Sequence, residues 1–150
     1  MKTLAFLTAL MAATAQAADT AYTITDILTA NAPTASRSTE WKPGQGITLE
    51  VSGMDWLADG RLAVAIRKGE VWVISNPHTA NAADVTFKLF ASGLHEPLGL
   101  RVEGDSLLVM QRSELTRLRD SDGDGEADEY LTEAHGWNVS GAYHGYAYGP

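Results

Sequence analysis

The chain contains no cysteine in 150 residues. That excludes disulfides, thiolate metal sites and a Cys-x-x-Cys-His haem attachment within this sequence. Basic residues are also scarce: 11 Lys and Arg stand against 19 Asp and Glu, for a net charge of −8. Such a balance argues against a broad field for nucleic acid or an anionic membrane surface. Long apolar runs are nearly absent. The clearest is "LAFLTALMAA" (residues 4–13), too short to span a bilayer. It follows Lys2 and precedes the small residues Ala15-Gln16-Ala17, the pattern of a signal peptide cut after Ala17. The protein is therefore expected to be exported to a periplasm or the exterior, with no transmembrane span once residues 1–17 are removed. Loss of Lys2 leaves 10 basic against 19 acidic residues, so the mature charge is −9.

What is present begins with a polar segment, residues 18–46, rich in Ser and Thr and holding Pro33 and Pro43. It reads as a leader with little regular structure, in which "YTITDIL" offers at most a short strand or turn. From Glu50 onward the pattern changes. "EVSGMDWL", "RLAVAIR", "EVWVIS" and "VTFKLFASG" alternate apolar and polar residues, and Gly or Asp-Gly punctuates the turns. The series then restarts. "PLGLRVEGDSLLVMQRSELTRLRD" matches "SGMDWLADGRLAVAIRKGEVWVIS", with Gly99 against Gly53, Val109 against Val64, Arg112 against Arg67 and Leu118 against Val73. A third start, "HGYAYGP", places Gly145 46 residues after Gly99.

Four strands repeated about every 45 residues predict β-propeller blades. The expected blades run over residues 50–93 and 96–136, with a third opening at residues 141–150. Two blades and a first strand do not close a ring, so the chain reads as the N-terminal portion of a longer propeller. A β-sandwich, which needs similar strands but no repeat, is the alternative.

Seven of the sixteen residues 118–133 are acidic, within "LRDSDGDGEADEY" and the strand after it. Asp120, Asp122 and Asp124 fall at positions 1, 3 and 5 of a calcium loop, with Gly125 at position 6 for the sharp turn. Glu126 at position 7 offers its backbone carbonyl, and Asp128 at position 9 coordinates directly or through water. Position 12 is Leu131 instead of a bidentate Glu, leaving Glu129 or Glu133 as substitutes. The flanks alternate as strands, so this is not a helix-loop-helix site. The alternative is a solvated acidic turn.

In a meander, successive connections alternate between the two ends of the sheet. The calcium loop thus shares one rim with the Asp59-Gly60 and Gly104-Asp105 turns. The other rim gathers Arg67, Lys68, His95, Glu96, Arg112, His135 and His144. The bland reading pairs Arg67 with Glu70 and Arg112 with Glu114, their neighbours in sequence. The metal on its separate rim reads as a structural clip.

"FASGLHEPLGLRVEGDSLLVMQRSELTRLRD" resembles the glucose/sorbosone dehydrogenase family of quinoprotein propellers. Together with "GMDWLADGRLAVA", "DSDGDGEADEY" and "GWNVSGAYHGYAYGP", it is most similar to a subgroup described as membrane-bound dehydrogenases. The resemblance covers residues 46–150. It implies an oxidoreductase acting on a sugar or other alcohol or aldehyde through pyrroloquinoline quinone. It further implies a c-type cytochrome domain or other electron acceptor as partner. By the same resemblance His144 is the candidate general base, with Arg112 beside it, and Arg67 and Arg112 are the candidate quinone-binding residues. A non-catalytic propeller binding a polymer through Trp56, Trp137, Tyr143 and Tyr146 is the rival reading, and a fragment inactive by itself is a third.

Overall fold

The computed structural model describes residues 22–27 and 50–150. The expected signal peptide and most of the expected leader lie outside them. Residues 22–27 form no strand, but Ile27 packs against the first sheet.

The described chain is all-β. Strands β1 (Val51–Trp56), β2 (Leu62–Ile66), β3 (Glu70–Ser75) and β4 (Thr86–Ala91) make one antiparallel sheet in the order β1-β2-β3-β4. Strands β5 (Leu100–Glu103), β6 (Ser106–Met110), β7 (Glu114–Arg119) and β8 (Glu129–His135) make a second in the order β5-β6-β7-β8. Alternation of side chains explains why the sheets stack. In β2 and β3, Leu62, Val64, Ile66, Trp72 and Ile74 point to one face, where they pack with Val85, Leu89 and Ile27. Ala63, Ala65 and Val71 point to the other and meet Leu100, Leu107, Val109 and Leu118 of the second sheet. The small alanines let the sheets approach, and the larger second-sheet residues fill the space.

The ladders correct one match. Leu118 pairs with Leu107, whereas Val73 pairs with Ala63 and Ile74 with Leu62. The counterpart of Leu118 is therefore Ile74, because the paired residues Leu62 and Ile74 are 12 apart in sequence and Leu107 and Leu118 are 11 apart. The expected strand within residues 141–150 does not form: residues 136–150 contain bends and a turn but no strand.

The first strands of the two sheets lie alongside each other. A Cβ on Gly53 would stand 2.6 Å from the Leu100 nitrogen, and the Val102 N–H donates to Asp55 Oδ2 at 2.8 Å. The carboxylate thus satisfies an edge donor that β5 would otherwise leave unpaired.

Candidate functional site

The acidic loop joins β7 to β8, at the sheet end opposite the β6–β7 turn that carries Arg112. The two expected rims are thus distinct. Asp120, Asp122 and Asp124 each offer a carboxylate oxygen within 4.8 Å of the others. Two oxygens on opposite sides of a calcium ion, each at about 2.4 Å, stand about 4.8 Å apart, so the trio is of the right span. Backbone amides shape it. Asp120 accepts from Gly123 at 2.7 Å and Gly125 at 2.8 Å, Asp122 from Asp124 at 3.1 Å, and Asp124 from Glu126 at 2.7 Å.

Asp128 stands apart from the trio. Its Oδ2 accepts from Ser121 N at 2.8 Å, Ser121 Oγ at 3.0 Å and Asp122 N at 3.3 Å, closing the base of the loop. The Ser121 amide, followed by the Ser121 hydroxyl, holds the Asp128 carboxyl below its ordinary pKa. The carboxylate of Glu126 is likewise outside the trio. The substitutes for position 12 are engaged elsewhere: Glu129 meets Arg119 at 3.2 Å and Glu133 meets Arg117 at 3.0 Å.

The loop also reaches the first sheet. The Ala127 N–H donates to the Phe90 carbonyl at 2.7 Å, and Lys88 Nζ donates to the Asp124 carbonyl. Between the sheets beside it lies a cleft of about 570 Å³, lined by Val73, Lys88, Phe90, Leu107, Asp120 and Asp124 among others.

At the opposite rim the structure brings Arg67 and Arg112 to one carboxylate. Glu96 takes Arg67 Nη1 on Oε1 at 2.8 Å and Arg112 Nε on Oε2 at 2.9 Å. Arg67 Nη2 also meets Glu50 Oε2 at 2.6 Å. Arg112 Nε faces Glu96, and Glu50 Oε2 faces Arg67, as close ion pairs outside hydrogen-bond alignment. Burial alone would lower the Arg67 pKa, but Glu50 and the Tyr146 hydroxyl outweigh it and raise the value. The expected near-sequence partners are engaged differently. Glu70 accepts from Trp72 Nε1 at 3.2 Å, and Glu114 accepts from Thr116 and Thr132.

Arg112 Nη2 donates to the carbonyls of Ala142 and Tyr143, each at 3.2 Å, and its guanidinium lies 4.6 Å from the centre of the Tyr146 ring. The exposed His144 ring meets Tyr143 edge-on at 5.0 Å. The structure therefore gathers Arg67, Glu96 and Arg112, and seats the backbone beside His144 on them. It does not bring the His144 imidazole into the ion cluster. The His95 backbone amide is taken by Gln111 Oε1.

The aromatic set of the rival reading divides. Trp137 and Tyr146 contact the arginine rim, whereas Trp56 stacks on His78 at 4.7 Å at the other end of β1. Glu50 was not singled out in the sequence, although it stands 46 residues before Glu96, the spacing of the repeat.

Comparison of the chain with family models, curated proteins and solved structures returns no match.

Proposed function

We propose that residues 50–135 are two consecutive blades of an exported β-propeller oxidoreductase of the glucose/sorbosone dehydrogenase type, with calcium bound by Asp120, Asp122 and Asp124. The observation that carries the propeller reading is the seam. Two meanders of one strand order meet through their first strands, with Gly53 on the backbone of Gly99 and Leu100. Inner strands meeting in this way are what a ring of blades requires. In this reading the exposed β1 residues Val51 and Met54 border the central channel.

The acidic trio serves as a brace. Its loop already contacts β4 through Phe90 and Lys88, so an ion there fixes a connection that spans the seam. Calorimetric titration with calcium tests this. Wild type is expected to give a binding isotherm and Asp122→Ala to give none; identical heats would sink the assignment.

Substrate chemistry rests on the resemblance: a sugar or other alcohol, with electrons passed to a c-type cytochrome domain or another acceptor. Pyrroloquinoline quinone does not fit Arg67 and Arg112 as they stand. Each guanidinium already faces a carboxylate, and Arg112 faces two carbonyls as well. No quinone step is derived from them, and the contribution of these residues is scaffold. Dye reduction with added quinone and a panel of sugars and alcohols tests the activity, and a panel-wide blank counts against it.

A second reading has its own observation. Trp137, Tyr143 and Tyr148 are exposed around Arg112, a surface suited to stacking on a polymer. Retention on a polysaccharide column without dye reduction favours it. Among the described residues no helix is long and apolar enough to cross a membrane. Export predicts a mature product that begins at Ala18.

A further inference from the structure

Glu50 and Glu96 occupy the same place in the two modules. Each lies three residues before the glycine at which first strands approach, Gly53 or Gly99, and the two are 46 residues apart. Both adopt the left-handed backbone, with φ of 51° and 44°, a conformation that disfavours Glu. Arg67 and Arg112 are equivalent in turn, each just beyond the second strand of its module and 45 residues apart.

The contacts step along the chain by the same period. Arg67 meets Glu50 of its own module and Glu96 of the next. Arg112 meets Glu96 of its own module and, one repeat further on, the carbonyl of Ala142, 46 residues after Glu96. Where the series would place a third acid, a main-chain oxygen takes the guanidinium. We infer that Glu50, Arg67, Glu96 and Arg112 are successive links of one charge relay that crosses each seam and positions the 137–146 segment, with His144 on it.

Five contacts tie that segment to the relay. The Trp137 indole N–H donates to the Arg112 carbonyl at 2.8 Å. Arg112 Nη2 holds the Ala142 and Tyr143 carbonyls at 3.2 Å, and its guanidinium covers the Tyr146 ring. Arg67 Nη1 reaches the Tyr146 hydroxyl at 3.4 Å. No strand pairing holds these residues, so side-chain contacts must order them. The relay is shielded enough to act: the side chains of Arg112, Arg67, Glu96 and Glu50 are 14%, 22%, 28% and 29% exposed. Arg112 is a positioning residue, since it acts on His144 through the Ala142 and Tyr143 carbonyls before it and the Tyr146 ring after it. The relay stands on these contacts and not on the oxidoreductase reading, so a blank dye assay leaves it intact.

Hydrogen–deuterium exchange of the full chain, read peptide by peptide, tests it. Glu96→Gln removes the shared charge, and Arg112→Lys keeps the charge but cannot serve Glu96 and two carbonyls together. Both are expected to speed exchange within residues 137–146 at the Gly145 and Tyr146 amides, which donate to the Ala142 and His144 carbonyls, by roughly tenfold or more, leaving β2 and β6 unchanged. Arg101→Gln removes an exposed cation outside the relay and is expected to change nothing there. Unchanged exchange over 137–146 in Glu96→Gln or in Arg112→Lys would overturn the relay. So would equal acceleration by Arg101→Gln, which would reduce the effect to net charge. Arg112→Lys is the conservative arm should Glu96→Gln fail to fold.

Discussion

Gly53 lies directly on the backbone of Gly99. An added Cβ would stand 2.8 Å from the Gly99 carbonyl carbon and 2.9 Å from its Cα. The two glycines are 46 residues apart, Gly53 within β1 and Gly99 immediately before β5, the first strands of their sheets. Gly99 is packed in its turn by the carbonyl of Gly149. Sheets that meet at such short range hold their register through backbone contact at the inner strands, and the apolar cluster behind fixes their separation. The ion cluster on one rim and the acidic loop on the other then close the two ends of the same seam.

Gly53→Ala is expected to destabilise the fold by about 1–3 kcal/mol, because the new methyl meets backbone that has no rotamer to yield. Gly60→Ala is the control. Gly60 has φ of 85° but nothing within 4 Å of an added Cβ, so only backbone strain of about 1 kcal/mol opposes the change. Urea midpoints check this at unchanged m-value. Equal losses in the two variants would remove the steric role of Gly53.

Leu118→Ala is expected to cost about 2–5 kcal/mol, since the side chain is fully buried among residues of both sheets. Leu131→Ala, 45% exposed on β8, is expected to cost less than about 0.5 kcal/mol. The pair also tests the corrected repeat: Ile74→Ala should resemble Leu118→Ala, because both are buried third-strand residues of their modules.

The strands were legible because alternation, glycine turns and the two-fold repeat all point the same way. The loop order Asp120, Asp122, Asp124 was legible too, since alternate residues of a tight turn gather on one side. Three things were not. The second hairpin is one residue shorter between Leu107 and Leu118 than the first between Leu62 and Ile74, which slides Leu118 onto Ile74, and similarity of sequence alone aligns it with Val73. The acids that Arg67 and Arg112 meet stand just before the first strands, 16 or 17 residues back in the same module, with Glu96 also reached by Arg67 across the seam, so local spacing points instead to Glu70 and Glu114. The segment "HGYAYGP" has strand-like composition, yet a strand exists only through a paired neighbour, and none of the described strands pairs with it.

The charged outer face of the second sheet gives a pH prediction. Arg117 Nη2 meets Glu103 at 2.7 Å, and its Nε meets Glu133 at 3.0 Å. The hydrogen bond that Arg117 donates holds the Glu133 carboxyl below its ordinary value of 4.5, and acceptance by Glu133, with that by Glu103, raises the Arg117 pKa. As pH falls, the unfolded chain takes up the Glu133 proton before the folded chain does. The stabilisation is thus complete above 4.5 and declines as pH drops through the lower folded value. Exposure of the pair and screening by salt keep the effect small. Glu133→Gln is expected to lower the thermal midpoint slightly at neutral pH and to converge on wild type well below 4.5, so that the variant's acid limb is the flatter. A steeper acid limb in the variant, or a curve that coincides with wild type above 4.5 as well as below it, would show that Arg117 draws its support from Glu103 alone.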